Sequence, residues 1–335
     1  MTRINLVTYD NGFGNTRDIG LLSGALRDAG CEVVVTVADK HERRRRRLRL
    51  VRRFGAARLW LSRRRQARGQ QPAFDVCVMV EHVWPERLHL ARRNVIVPHP
   101  EFFDRHDRSL LDRFDCVWAK THATFDIFTR LGCRANWTGS DSDDRHLDGV
   151  DREPTFFHLA GGSRMKGTAR LVALWSRHPE WPRLTVVQKA ARTGAAVPAA
   201  NIDYQTRYLT DAELRLLQNR NVFHVCTSET EGWGHYIVEA QSTGAVVLAT
   251  DAPPMNELVT SERGLLIRSS AVGHQHLATT YEFDSGDLER VVDRALGMDA
   301  TERGRLGAAA RDWFWENKRG FPARLARALG ALENG

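Results

Sequence analysis

The sequence predicts an α/β fold made of two Rossmann-like, doubly wound domains, and three observations carry the prediction. Apolar strand-like runs alternate with helical spacing along nearly the whole chain. The alternation restarts after a stretch rich in Ser, Asp and Gly, residues 139–153, whose composition is that of an inter-domain linker. Finally, the segment from Thr227 to Leu258 reads as the end of a strand, a glycine loop, a helix and a second strand. Its loop falls at the carboxyl end of a strand, where doubly wound sheets bind ligands.

The chain has 335 residues, ample length for two cores. The expected division is 1–150 for the first domain and 151–310 for the second. Residues 311–335 are expected to form a C-terminal helix that packs back on the first domain. No run of 18 or more apolar residues is present, and the chain opens on a strand pattern rather than a signal peptide. A cytoplasmic protein is expected. The five cysteines (Cys31, Cys77, Cys116, Cys133 and Cys226) form no C-x-x-C pair and lie in or beside apolar runs, as buried free thiols do.

The first domain opens with a strand at Ile4–Asp10, a turn containing Gly12 and Gly14, and helical spacing from Asp18 to Ala29 (Ile19, Leu22, Ala25, Leu26). The turn lacks the third glycine of G-x-G-x-x-G, so it is a weak dinucleotide fingerprint, though its backbone can approach a ligand closely. A strand at Cys31–Ala38 follows. Further strands are read at Phe74–Glu81, Asn94–Val97, Cys116–Ala119 and Cys133–Trp137, with a helix at Ala123–Leu131.

Between them lies the chain's one intensely basic segment. Of a formal net charge of +8, residues 40–68 contribute about +13, leaving the rest of the chain slightly acidic. Leu48, Val51, Phe54, Leu59 and Leu61 can share one helical side, with Arg44, Arg45, Arg52, Arg63 and Arg64 around the rest. A solvated arm, docking on an anionic membrane surface through residues 43–68, and nucleic-acid contact all suit this pattern. Nucleic acid suits it least, since Phe54 and Trp60 are the only aromatics available for base stacking.

The second domain repeats the alternation. Strands are read at Thr155–Ala160, Leu184–Gln188, Ile202–Leu209, Val222–Cys226, Val246–Ala249 and Gly264–Arg268. Helices are read at Thr168–Ser176, at Asp211–Asn219 with Thr210 as N-cap, and at Asp287–Met298 and Thr301–Leu332. Gly161 and Gly162 precede Arg164 and Lys166 just before a helix start. Fixed N–H donors, a helix dipole and two cations together make a phosphate-binding arrangement. Two carboxylates, Glu231 and Glu239, flank the glycine loop and at first suggest an acid–base pair. The clustered Asp141, Asp143 and Asp144 are residue types that suit Mg²⁺, but they fall in the linker, and no metal or other cofactor is expected.

The stretch Glu231-Gly-Trp-Gly-His-Tyr-Ile-Val-Glu239-Ala240 resembles the E-x7-E signature of GT-B glycosyltransferases, in particular the retaining family 4. Gly244-Ala-Val-Val-Leu-Ala249, Asn256-Glu257-Leu258 and Gly264-Leu-Leu-Ile267 extend the match. Ala245 stands where a small-Pro pair is common. The resemblance covers the second half from about Phe156 to Ile267, and the first half only through its glycine turn and alternation.

That resemblance implies transfer of a sugar from a nucleotide-diphosphate sugar to a glycan or lipid-linked acceptor hydroxyl, with retention. By the same resemblance Glu239 accepts the ribose hydroxyls and Glu231 faces the donor sugar. The backbone of Gly232, Trp233, Gly234, His235 and Tyr236 lies against sugar and diphosphate. Lys166 neutralises the leaving diphosphate. The family's partner arginine falls at Gly161 here, a departure that leaves Arg164 to act from a nearer position. A histidine after an early strand meets the donor sugar in the family. His99 fits best, with His82 second, and Glu81 and Glu101 are acceptor-side carboxylates. A nucleotide-sugar epimerase, a sugar phosphorylase, or a non-catalytic nucleotide-binding protein that docks through the Arg-rich arm are the rival readings.

Overall fold

A computed structural model of the chain describes residues 1–9, 12, 14–38, 60–61, 72–192 and 199–333. The basic segment therefore lies outside the described residues, apart from the exposed Trp60 and Leu61. The chain divides into two compact units, Met1–Asp141 with Gln275–Leu277 and Asn317–Gly335, and Ser142–His274 with Ala278–Glu316.

The first unit is built on β1 (Arg3–Thr8), α1 (Gly14–Asp28), β2 (Glu32–Val37), β3 (Phe74–Glu81), β4 (Ala91–Pro98), the single turn α2 (Arg105–Arg108), β5 (Cys116–Ala119), α3 (His122–Arg130) and β6 (Ala135–Trp137). Its six strands form one parallel sheet in the order β2-β1-β3-β4-β5-β6. Parallel strands covered on both faces read as continuous apolar runs, and β3 shows why. Val76, Val78 and Val80 enter one core cluster with Leu22 and Leu26, while Cys77 and Met79 enter another with Phe103 and Phe128. Phe321, Leu325, Ala328, Leu329 and Leu332 of the last helix join the first of these clusters.

The second unit contains β7 (Glu153–Gly161), α4 (Thr168–Trp175), β8 (Leu184–Gln188), β9 (Ile202–Gln205), α5 (Asp211–Arg220), β10 (Asn221–Cys226), α6 (His235–Ser242), β11 (Val246–Thr250), α7 (Met255–Leu258) and β12 (Gly264–Ile267). A small sheet of β13 (Ser269–Gln275) and β14 (Ala278–Phe283), α8 (Ser285–Gly297) and the long α9 (Ala300–Glu333) follow. The main sheet is again six-stranded and parallel, in the order β12-β11-β10-β7-β8-β9. Val246 and Leu248 pack with an aromatic group of Phe156, Trp175, Trp181 and Phe223. Val247 and Ala249 face the opposite cluster with Ile237 and Phe314.

Three local readings change. The strand read as Ile202–Leu209 stops at Gln205, and Tyr208 stands exposed. The β13–β14 pair has too few apolar residues to be read as strands. Of the stretch 139–153, residues 139–152 form no regular element, yet Ser140, Asp141, Ser142 and Arg145 are buried. Polar composition there marks hydrogen bonding rather than a loose tether: Asn317 Nδ2 donates to Ser140 O at 2.9 Å, and Arg145 N donates to Ser242 Oγ at 2.9 Å. Thr210 is the N-cap of α5 as read, in a full capping box with Glu213.

Candidate functional site

At the carboxyl edge of the second sheet, the chain after β7 and the chain after β10 are locked together. Glu229 N donates to Met165 O and Thr227 Oγ1 donates to Lys166 O, each at 2.9 Å. Gly167 makes this approach possible. It caps α4 in the left-handed region, φ +63°, and a Cβ on it would meet Thr227 O at 2.5 Å. Gly234 does the same for α6 at φ +92°, wedged against the Leu258 and Ile237 side chains.

These turns bring Lys166 and Glu231 into contact. Lys166 Nζ is bonded to Glu231 Oε1, the same oxygen accepts from Ser228 Oγ, and Ser228 Oγ lies 2.5 Å from Tyr236 OH. Lys166 Nζ also lies 3.8 Å over the centre of the Tyr236 ring, a cation–π contact. Burial pushes the Tyr236 phenol well above its ordinary range, reinforced by Cys226 and Glu231, so it stays neutral. The Lys166 and Glu231 side chains keep 13% and 12% exposure, enough to be reached. Arg164 is exposed beside them, and Gly161 and Gly162 are half-buried, with the Lys189 side chain against Gly162.

Beneath this edge, His158 of β7 fixes the start of α4. Its Nδ1 lies 2.8 Å from Val225 O and its Nε2 2.9 Å from Thr168 Oγ1. Burial first, and the Lys166 charge second, push its pKa down to about 4 against the hydrogen bond to Val225.

The remaining residues of the glycine loop point elsewhere. Trp233 Nε1 donates to Ser142 Oγ at 3.1 Å, and His235 Nδ1 lies 2.9 Å from the same oxygen. Gly232 is buried. Glu239 has no exposed surface, and its Oε2 accepts from Gln218 Nε2 at 3.2 Å. Gln218 is oriented in turn by Arg145, whose Nε donates to Gln218 Oε1 at 2.9 Å and whose Nη1 meets Asp211 Oδ1 at 2.7 Å. The structure thus brings Lys166, Glu231 and Tyr236 together and sets Glu239 apart in a buried chain of polar groups. Asp141 and Asp144 are engaged as structural ion pairs with Lys318 at 2.7 Å and Arg311 at 3.2 Å.

A second polar cluster stands at the carboxyl edge of the first sheet, where β1 and β3 diverge in direction of connection. His82 and His99 both touch Glu81: His82 Nε2 lies 3.2 Å from Oε1 and His99 Nδ1 3.4 Å from Oε2. Tyr9 OH donates to Glu81 Oε1 at 2.7 Å, and His82 Nδ1 lies 2.8 Å from Asp107 Oδ2. His99 Nε2 faces Asp18 and Lys120. Glu81 itself adopts φ +67°, a left-handed conformation that costs a non-glycine residue energy and that surrounding contacts must hold. Burial alone would raise its pKa, but hydrogen bonds from His82 and His99 hold it far below the usual carboxylate range. Burial lowers the His82 pKa, and the contacts to Asp107 and Glu81 overcome it, so the net shift is upward. Glu101 is buried nearby in sequence, Gly12 is exposed and Gly14 opens α1.

Sequence reasoning missed Ser228, His158, Gln218 and Arg145 in the second unit, and Asp18, Asp107 and Lys120 in the first. The one usable signal was Ser228, which lies just past the end of a strand and three residues before Glu231.

No known family model matches the chain, and no curated protein matches it in sequence. Solved structures do match. The sucrose-phosphate synthase of Thermosynechococcus elongatus superposes with a TM-score of 0.69 at 14% identity, over 100% of this chain and 98% of that one. HepE of Anabaena, in complex with UDP and glucose, gives 0.68 at 14% identity over 99% and 100%. An E. coli trehalose-6-phosphate structure bound with UDP-2-fluoro glucose gives 0.65 at 13% identity over 99% of each chain. At such identity the likeness is one of fold. With two parallel six-stranded sheets matched along the full chain, the protein has the GT-B fold of these glycosyltransferase structures.

Proposed function

We propose that the protein is a retaining glycosyltransferase that moves a sugar from a nucleoside-diphosphate sugar to an acceptor hydroxyl. The observation that carries the reading is the Lys166–Glu231–Ser228–Tyr236 cluster, set beside the start of α4 at the carboxyl edge of a parallel sheet. It joins a cation, a carboxylate and free helix N–H groups in the place where sheets of this kind take ligands. That two of the fold neighbours were solved with UDP compounds supports the donor class.

On this reading the leaving diphosphate competes with Glu231 for the Lys166 ammonium. Arg164 and the first N–H groups of α4 add to the positive field. Charge that develops on the diphosphate in the transition state meets donors already in place, which is where most of the rate comes from in such chemistry. Glu231, released from the ammonium, turns its carboxylate to hydroxyls of the donor sugar. No nucleophile need be assigned, because in a front-face reaction the leaving phosphate takes the acceptor's proton. Glu239 has no exposed surface and Gln218 lies on its Oε2, so a ribose role for Glu239 requires nucleotide binding to uncover the carboxylate.

The His82–Glu81–His99 cluster enters the proposal with Glu101: His99 toward the donor sugar, and His82, Glu81 and Glu101 toward the acceptor. A glycan or lipid-linked acceptor, and docking of residues 43–68 on an anionic membrane, complete it. Among the described residues no helix is long and apolar enough to cross a membrane.

The test is a panel of nucleoside-diphosphate sugars, with free nucleotide release and thermal shift measured for wild type and Glu231→Ala. The expected result is donor-dependent release that the variant loses. If no donor binds, or the variant releases nucleotide as fast as wild type, the transferase reading fails. Binding without release would favour a non-catalytic nucleotide-binding protein.

A further inference from the structure

Lys120, which follows β5, is almost fully buried at the carboxyl edge of the first sheet. Its Nζ lies 2.6 Å from Asp18 Oδ2 and 2.8 Å from His99 Nε2. Two protonated nitrogens do not approach to 2.8 Å without an acceptor, so this contact holds one proton between lysine and imidazole. The 2.6 Å contact to a carboxylate places the proton on Lys120, because charge-assisted pairs of that length are the strong ones. His99 Nε2 then accepts from Lys120, and the ring's own proton sits on Nδ1, facing Glu81 Oε2 at 3.4 Å.

The opposing arrangement is an imidazolium whose Nε2–H donates to Asp18 at 3.3 Å. Burial and the Lys120 charge press the His99 ring toward its neutral form, whereas the contacts to Asp18 and Glu81 favour the imidazolium. The shorter contact decides between the two, since an Nε2–H cannot also accept from the ammonium. Asp18 of α1 and Glu81 at the end of β3 face the pair; Tyr9 after β1 and His82 in turn touch Glu81, Asp107 of α2 touches His82, and the α9 residues that line a cavity with Asp18 and Lys120, Phe321 and Leu325, carry no charge.

We infer that Lys120 is the positioning residue for His99: clamped by Asp18, it holds the imidazole neutral, with its proton on Nδ1 against Glu81. The role of His99 in turnover rests on the transferase reading above, whereas the state of the ring does not. A neutral, oriented imidazole presents a polar edge to a sugar hydroxyl and adds no further cation there.

The ring state is read directly from the ¹⁵N shifts of the His99 imidazole in the full-length protein at pH 7. A neutral Nδ1–H tautomer is expected in wild type. In Lys120→Met, where the two carboxylates act unopposed, an imidazolium is expected, and Lys120→Arg, which retains a donor, should keep the ring neutral. An imidazolium in wild type, or a Lys120→Met ring unchanged from wild type, overturns the inference. The wild-type spectrum decides it even if the methionine variant fails to fold.

Turnover supplies the second readout. Lys120→Met is expected to lose kcat/KM about 100-fold at pH 7, the scale of a misplaced catalytic group. It should regain part of that as pH rises and the imidazolium of the variant loses its proton, a recovery that a merely structural defect would not show. Absence of turnover with every donor in wild type would reject the transferase reading and leave the spectral result standing.

Discussion

Lys166 and Glu231, 65 positions apart in the chain, form an ion pair that also rests on the Tyr236 ring. On the proposed reading a diphosphate, which carries more negative charge than a carboxylate, displaces Glu231 from this lysine. Substituting Lys166→Met is therefore expected to lower kcat with nucleoside-diphosphate sugars by about 10²–10³-fold, the range seen when one transition-state donor is removed. Glu231→Gln, which frees the lysine but weakens contact with the sugar, is expected to affect KM as well. The two changes should combine less than additively, since the residues share one interaction. A steady-state double-mutant cycle checks this, and strict additivity would argue that the two act independently.

Gly167 offers a structural test that requires no substrate. An alanine there must adopt φ +63° and push its Cβ to within 2.5 Å of Thr227 O. The left-handed backbone alone costs about 1–2 kcal/mol, and the clash adds to it. Gly167→Ala is expected to lose at least about 2 kcal/mol in urea denaturation and to separate the two loops that carry Lys166 and Glu231. An unchanged midpoint would mean that the approach of these loops is not tight in solution.

Acid should unfold the second unit through its buried histidines. Burial pushes His158 down to about 4 and His224 down to about 3, both neutral in the folded protein. In the unfolded chain a histidine titrates near 6.5. As pH falls below that value the unfolded state takes up protons first, so stability present above about pH 6.5 is lost progressively toward pH 4. For His158 the loss is on the order of 3 kcal/mol. Denaturation at pH 7.5 and pH 4.5 should show the fall, and His158→Gln should reduce its slope. A slope unchanged in the variant would remove His158 from the account.

Gln218 connects Arg145 to Glu239, and its removal has two opposed effects. Gln218→Ala removes the acceptor of the buried Arg145 Nε–H and one partner of the buried Glu239 carboxylate, at a cost of about 1–3 kcal/mol. The same change uncovers the Oε2 acceptor that, on the proposed reading, a ribose hydroxyl would meet. The variant is therefore expected to melt lower than wild type, yet to be stabilised more by saturating uridine diphosphate. Equal stabilisation of both proteins would indicate that Glu239 does not meet the nucleotide.

Much of this molecule was determined by sequence alone, and the reason is local. Parallel strands buried on both faces must be continuous apolar runs, so Phe74–Glu81, Cys116–Ala119 and Leu184–Gln188 were read with their observed limits. The β13–β14 pair lacked such a run and was missed. Local turns were equally legible: Glu231 and the glycines bracketing Trp233 fall in the loop before α6, and Lys166 stands just before α4. Only tertiary structure decided what those groups touch. Residues 139–153 looked like a tether and instead supply Ser142, which engages Trp233 and His235, and Arg145, which orients Gln218. Lys120 and His99 lie 21 positions apart with no pattern joining them, and Asp18 comes from a helix near the start of the chain. Hydrophobic periodicity records which face is buried, but buried polar partners leave no periodic trace. They are chosen by distance in the folded chain, and distance exists only once the sheets have formed.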